Sequence, residues 1–278
     1  MAQFVFTELY GGGVQSIEDL DPTTLASIGD TSLTMPSGPS RDPSGAVVVA
    51  EMTRHRIDHA APGAGWTRFG TRGNGVGHFE RPAATALLST GAILVLDTGN
   101  CRIVGIDDIA GTGWVTYGYR GRPSPADPAE GGFVDPRGIA VDTSDRIWVS
   151  DPGAGRVTRV DGVDGSGWTP IPLPTGAKPT IPYGICAYRD GVIVVDVGNR
   201  RLIRVDDNAT ATVDLDVSWL GPSFVTSLGL NIAVADITAN ELRLLEPSGD
   251  GFAETDRLRG SPPDLTVALF DSLGGVGT

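Results

Sequence analysis

The stretch Val192-Ile-Val-Val-Asp-Val-Gly-Asn-Arg-Arg-Leu202 decides how the rest of the chain is read, because versions of it recur every forty to fifty-four residues. Val192 to Val195 is a short, β-branched apolar run, which suits a strand covered on both faces. Asp196 ends the run, Gly198 and Asn199 tolerate the left-handed backbone of a tight turn, and Arg201 opens a second apolar run through Val205. An acid and an arginine five residues apart across such a turn are placed to pair. The same spacing occurs in Glu51 with Arg56, Asp97 with Arg102 and Asp151 with Arg156, and all four are read as structural pairs.

Alignment on the acid gives Glu51, Asp97, Asp151, Asp196 and Asp236, preceded by Val47-Val-Val-Ala, Ile93-Leu-Val-Leu, Ile147-Trp-Val-Ser, Val192-Ile-Val-Val and Ile232-Ala-Val-Ala. A sixth copy lies at the N-terminus, where Phe4-Val-Phe-Thr-Glu8 is followed by Val14 as the others are by Ile57, Ile103, Val157, Leu202 and Leu242. Prolines 36, 82, 136, 182 and 222 precede the anchors by fourteen or fifteen residues. Pro263 begins a further copy, but the strand after it, Leu265 to Phe270, has no hairpin following. The missing hairpin is the one at residues 4 to 20.

Units of this length with four short strands each predict an all-β, six-bladed β-propeller of four-stranded antiparallel blades. The ring is expected to close through one C-terminal inner strand plus three N-terminal strands, so that residues 263–278 and 1–30 share a blade. A repeat running end to end predicts one domain over residues 1–278. A chain of 278 residues can bury roughly 75% of the surface it exposes unfolded, so core size is no obstacle. The 39 glycines and 20 prolines fit a turn-dense all-β chain. No transmembrane span or signal peptide is legible, which predicts a cytoplasmic protein with no membrane association. Cys101 and Cys186 fall in different repeats without metal-ligand spacing and read as structural thiols. Gly-x-Gly-Trp recurs at Trp66, Trp114 and Trp168, varied at Phe252, and an aromatic there is expected to start and shield the outermost strand.

Phe133-Val-Asp-Pro136-Arg-Gly-Ile-Ala-Val-Asp142, followed by Ile147-Trp-Val-Ser-Asp151 and Arg156-Val157, resembles an NHL repeat. Gly77-His-Phe79-Glu-Arg-Pro82 leading to Asp97-Thr-Gly-Asn-Cys-Arg-Ile103 is similar to one too. The resemblance implies a six-bladed propeller. Its functional implications are several: protein-binding modules, RNA-binding surfaces, or lyases and lactonases with a metal in the central channel.

Metal chemistry needs convergent histidines or hard oxygens on the inner strands. Those strands instead read Ile139-Ala-Val, Ile185-Cys-Ala, Thr85-Ala-Leu and Thr266-Val-Ala, while the three histidines, His55, His59 and His78, lie elsewhere. No metal or other cofactor is therefore expected, apart from weak surface calcium at Asp161-Gly-Val-Asp164-Gly. The catalytic candidates at the channel mouth are Arg137, Tyr183 and Asp264, with His78 in the approach; the alternative is that they hydrogen-bond loop backbone.

A net charge of −13 argues against indiscriminate nucleic-acid binding. The pattern nevertheless predicts a two-faced disc. The turns between second and third strands, and the loops leading into each blade, carry Arg54, Arg56, Arg72, Arg102, Arg120, Arg122, Arg137, Arg156, Lys178, Arg200 and Arg201. The third-to-fourth-strand loops carry Glu18, Asp19, Asp58, Asp107, Asp108, Asp161, Asp164, Asp206, Asp207, Glu246 and Asp250. Such polarity suits docking between oriented partners, and the proline-rich insertion between Tyr119 and Gly132 adds a contact element. The expected function is a non-enzymatic protein-binding or scaffold module with a protein partner or as a homo-oligomer. Arg54, Arg56, Arg120, Arg122, Arg137, Tyr183 and Arg200 are its candidate binding residues. A channel-mouth lyase or hydrolase is the alternative, and RNA binding on the arginine face the second alternative.

Overall fold

The apolar runs are second strands whose alternate side chains fill two different interfaces. In Gly191–Asp196, Val192 and Val194 pack with Trp148, Val157 and Ile185, while Ile193 and Val195 pack with Val225, Ile232 and Val234. In Ile93–Asp97, Val95 joins Val48 and Ile57, whereas Leu94 and Leu96 join Ile139, Ile147 and Val149. Successive strand residues point to opposite faces, and a strand with a sheet on each side buries both. The core is thus a series of wedges between neighbouring sheets. Each Val, Leu or Ile inserted there contributes roughly 1.5–3 kcal/mol.

The computed structural model describes residues 3–8, 14–18, 21–28, 33–42, 44–61, 64–120, 131–207, 210–213, 218–259 and 267–269. Blade 1 comprises Pro36–Arg41, Val47–Glu51, Arg56–Ala60 and Trp66–Phe69. Blade 2 comprises Ala84–Leu87, Ile93–Asp97, Arg102–Ile106 and Val115–Tyr117. Gly138–Val141, Ile147–Asp151, Arg156–Val160 and Thr169–Pro172 make blade 3. Pro182–Tyr188, Gly191–Asp196, Arg201–Val205 and Thr210–Val213 make blade 4. Blade 5 is Pro222–Leu228, Asn231–Asp236, Glu241–Ser248 and Gly251–Arg259. Within each, consecutive strands are antiparallel neighbours.

Against the six expected blades, the structure has five made of consecutive strands. The remaining four-stranded sheet is composite, in the order Val267–Leu269, Gln3–Glu8, Val14–Glu18, Asp21–Ser27. Its junction is antiparallel, with Phe6 opposite Leu269 and Glu8 opposite Val267. Each blade's innermost strand lies against the next, and Val267–Leu269 lies against those of blades 5 and 1. Among the described residues no helix is long and apolar enough to cross a membrane.

The anchor acids are wholly buried, and each ties the loop leading into its own blade. Glu51 accepts from the backbone N–H groups of Thr34 and Met35 at 3.0 and 3.3 Å. Asp97 accepts from Glu80 N at 2.7 Å, and Asp151 from Val134 N and Asp135 N at 2.9 Å each. Asp196 accepts from Ile181 N at 3.0 Å. Asp236 accepts from Leu220 N and Gly221 N at 2.8 Å each and from Ala239 N at 3.0 Å. The second-to-third-strand turns and the lead-in loops are thereby fixed side by side on one face of the disc.

The arginines diverge more than their spacing implies. Arg102 Nε lies 2.8 Å from Asp97, and Arg201 Nε 2.9 Å from Asp196. The Glu51–Arg56 pairing is corrected: Arg56 turns to Asp58 at 3.1 Å, and Arg54 faces Glu51 at 3.6 Å. The Asp151–Arg156 pairing is corrected too. Arg156 donates to Gly132 O at 2.6 Å and stacks over Trp168, 5.4 Å from the ring centroid. Two backbone N–H donors already satisfy the carboxylate, which frees the guanidinium for the aromatic face. In blade 5 the position five residues on is Glu241, and Arg243, two further along, approaches Asp236 at 3.9 Å. The left-handed residue of the turn is Arg200 (φ 56°) rather than Gly198 or Asn199, matched by His55, Cys101, Gly155 and Asn240. Asn199 instead bonds Asp196 through its side chain at 2.9 Å.

The Gly-x-Gly-Trp phrase is an inter-blade joint. Trp114 packs with Phe69 and Phe79, and Trp168 with Tyr117 and Phe133. Gly165 (φ 84°) sits under Tyr117, where a Cβ would come within 1.8 Å of the ring. Both thiols are buried and outside any disulfide, Cys101 between blades 2 and 3 and Cys186 between blades 4 and 5.

Asp236→Ala strips the acceptor from three backbone donors, so urea unfolding is expected to show a loss of about 3 kcal/mol; a loss below about 1 kcal/mol would show that the lead-in loop holds without it. Gly165→Ala combines a positive φ with a ring clash and is expected to cost roughly 2–3 kcal/mol in the same assay.

Candidate functional site

The inner strands approach so closely that glycine is required where they meet. A Cβ at Gly38 would fall 2.1 Å from the Ala84 Cα, and one at Gly184 would fall 2.6 Å from the Phe224 Cα. The channel between them is lined by these residues together with Thr85, Ile139, Ile185 and Val225, and its rim carries Arg137 and Tyr183. Its lining hydroxyl, Thr85, donates to Gly38 O at 2.7 Å, and beside it Ser37 donates to Ala83 O and Ser150 to Tyr183 O, each at 2.5 Å.

Of the catalytic candidates, Arg137 and Tyr183 share this mouth. Arg137 Nε and Nη2 reach Asp135 at 3.1 and 3.0 Å, so its charge is largely answered by a side chain beside it. The Tyr183 ring meets Phe224 edge-on at 5.5 Å. His78 is absent from the channel lining. It belongs to a short parallel bridge between Thr71–Arg72 and His78–Phe79 in the loop leading into blade 2, with Nδ1 2.8 Å from Thr71 Oγ1. Asp264 lies outside the described residues.

The binding candidates separate into engaged and free groups. Arg56 is held by Asp58, whereas Arg54 is 41% exposed. Arg120 is exposed and donates to Gly99 O at 2.9 Å. Arg200 is exposed. Arg122 lies outside the described residues. Sequence reasoning missed the aliphatic component of this face. Val76, Tyr119, Ile181, Leu220 and Ile237 are 39–73% exposed, and all lie in lead-in loops or second-to-third-strand turns. The signal for one of them was legible: Ile237 directly follows the anchor Asp236, at the start of a turn.

The opposite face is less purely acidic than its loops suggest. Asp58 does not belong to it, being fully buried in the third strand of blade 1 between Arg56 and Arg68. Asp207 bridges Arg146 and Arg159, which joins blades 3 and 4. Asp164 accepts from Ser166 N at 3.0 Å, and Asp161 lies 3.3 Å from Arg159. Among the described residues no three His, Cys, Asp or Glu side chains converge as a metal site.

Burial pushes the carboxyls of Glu51, Asp58, Asp97 and Asp151 above the ordinary carboxylate range, against the hydrogen bonds or arginines that favour ionisation. Four acids move the other way: Glu80, Asp207 and the exposed Asp108 and Asp164, the last two through hydrogen bonds within their own turns. The Arg72 hydrogen bond holds Glu80 below the range. At Asp207 burial opposes the shift, but Arg146 and Arg159 outweigh it and lower the value.

A carboxyl raised by folding binds its proton more tightly in the native state, so its stabilisation is full below the unfolded pKa and is lost as pH rises through the folded one. The lowered acids contribute above the ordinary range, and that contribution fails as pH falls through it. Self-repulsion from the net charge of −13 adds to the loss at higher pH. Unfolding free energy measured by urea titration across pH is therefore expected to be greatest on the acid side of neutrality and to decline as pH rises; a steady rise up to neutrality would contradict the burial shifts.

The fold and the narrow channel define this chain as a β-propeller. It is similar to a chain in a crystal structure of a nidogen/laminin complex, with 17% identity over 97% of both chains and a TM-score of 0.75. It is also similar to a streptogramin B lyase, with 15% identity over 94% of this chain and 80% of the other and a TM-score of 0.70. For virginiamycin B lyase from Staphylococcus aureus the figures are 14% identity, 93% and 81% coverage and a TM-score of 0.65. At these identities the likeness is one of fold. No family model and no curated protein matches the sequence.

Proposed function

We propose that this chain is a non-enzymatic docking module that presents its lead-in-loop face to a protein partner, with the composite sheet serving as the sixth blade of a closed disc. The observation that carries this reading is the clustering of exposed aliphatic and aromatic side chains with arginines on that one face. Of the seven large hydrophobic residues most exposed among the described residues, only Val115 and Leu230 lie elsewhere. Scattered apolar side chains need no explanation, but a set gathered around exposed Arg54, Arg72, Arg120 and Arg200 fits a protein contact. The nidogen/laminin structure shows a similar chain within an assembly of proteins, which makes the reading physically reasonable for this fold.

Channel catalysis is the second reading, favoured by the lyase likeness. It is weaker on residues. One related structure is a catalytically inactive histidine-to-alanine variant of virginiamycin B lyase with quinupristin. Here His55, His59 and His78 all lie away from the channel lining. Arg137, Tyr183 and Asp264 remain candidates for small-ligand contact only. RNA binding on the arginine face comes third, because the net charge of −13 opposes phosphate.

Native mass spectrometry of the protein purified gently from its host at low salt tests the reading. A stoichiometric protein partner is expected, and its retention should fall about tenfold or more on combining Arg54→Glu, Arg72→Glu and Arg120→Glu. A monomer carrying only a small molecule or a metal would overturn the docking reading in favour of the channel.

A further inference from the structure

Resting on that reading, we infer that the sector over blades 4 and 5 takes an acidic segment of a partner protein that also carries aliphatic side chains. Ile181, Leu220 and Ile237, exposed by 39, 55 and 42%, form one run along the face. Their backbone links are explicit. Val197 N donates to Ile181 O at 3.0 Å, and the Val197 side chain packs on the cluster containing Trp219. Leu220 follows that tryptophan and donates its N–H to Asp236, while Ile237 N donates to Gly221 O at 3.1 Å. The run therefore sits on hydrogen-bonded backbone and is pre-organised, which lowers the entropic cost of binding.

Two cations flank it. Lys178 N donates to Asn199 Oδ1 at 2.9 Å and Asn199 Nδ2 to Lys178 O at 3.1 Å, which brings Lys178 beside Arg200. Both are exposed, and among the described residues neither has an ion-pair partner, whereas neighbouring Arg201 is locked to Asp196. The anchors beneath, Asp196 and Asp236, are fully buried and spend their oxygens on backbone N–H groups and on Asn199 and Arg201. The sector thus presents aliphatic surface edged by uncompensated positive charge, which is complementary to acid-and-aliphatic sequence.

The probe is the peptide acetyl-Glu-Leu-Asp-Ile-Glu-Leu-amide, followed by fluorescence anisotropy at low salt with the full chain. Binding is expected, weakening about tenfold in Arg200→Glu and about threefold or more in Leu220→Ser, unchanged in Arg120→Glu, and absent for a peptide with lysine at each acidic position. Circular dichroism of the variants should match the parent, since both side chains are exposed. No binding, or equal binding by parent and variants, would overturn the assignment. So would vesicles of phosphatidylserine binding where the peptide does not, or self-association by sedimentation that Leu220→Ser abolishes. The native partner separates the two levels: if it survives Arg200→Glu with Leu220→Ser but is lost on charge reversal at Arg54 and Arg120, docking stands and this sector is wrong.

Discussion

The buried carboxylate at the end of each second strand is the interaction on which the disc depends. It is placed where strand, turn and lead-in loop meet, and it accepts backbone N–H groups that would otherwise be left unpaired away from water. An unmet buried donor costs about 1–3 kcal/mol, so a carboxylate meeting two or three of them outweighs most single contacts in the blade. Its desolvation is the counter-term, visible in the raised carboxyls of Glu51, Asp97 and Asp151. Because the acceptor serves the loop first, the arginine partner is negotiable. Asp97 and Asp196 keep theirs in contact, Asp151 feels Arg156 only through its charge, and Asp236 is approached by an arginine from a different position.

The same hierarchy explains what was legible in the sequence. The anchors, the β-branched runs and the inner-strand prolines recur because every blade needs them, so repeat spacing carried the fold class and the composite sheet. Pair geometry was less legible, since spacing alone does not say that Trp168 competes for Arg156 or that Asp58 competes for Arg56. The turn residue with positive φ was misread for a related reason. Gly198 is glycine because a Cβ there would fall 2.2 Å from Pro179 O, not because of its own backbone angle. The candidate site was half legible: charge could be sorted onto faces by strand register and Ile237 by its place after an anchor, but Val76 and Leu220 follow no repeat and look like ordinary core residues in sequence.

The channel and the face present opposite physical situations. In the channel, polar groups are few and mutually satisfied, with serines and Thr85 bonding the next strand's carbonyls and Arg137 bonded to Asp135. On the face, exposed apolar side chains stand beside Lys178 and Arg200, which have no ion-pair partner among the described residues. Polar groups already answered have little left to offer a substrate, while surface left unanswered gains most from a partner. The relatives in fold include both an assembly and lyases, so the fold itself is neutral between these uses.

Pairing of Val267–Leu269 with Gln3–Glu8 joins segments that are separated by almost the whole chain. Without Val267–Leu269, one edge of Gln3–Glu8 has no strand to meet. Loop closure over that distance is entropically costly and slow. The blades between can assemble against one another in the meantime, as a growing arc. The junction is thus a long-range requirement, in contrast to the local hairpins that make the five blades.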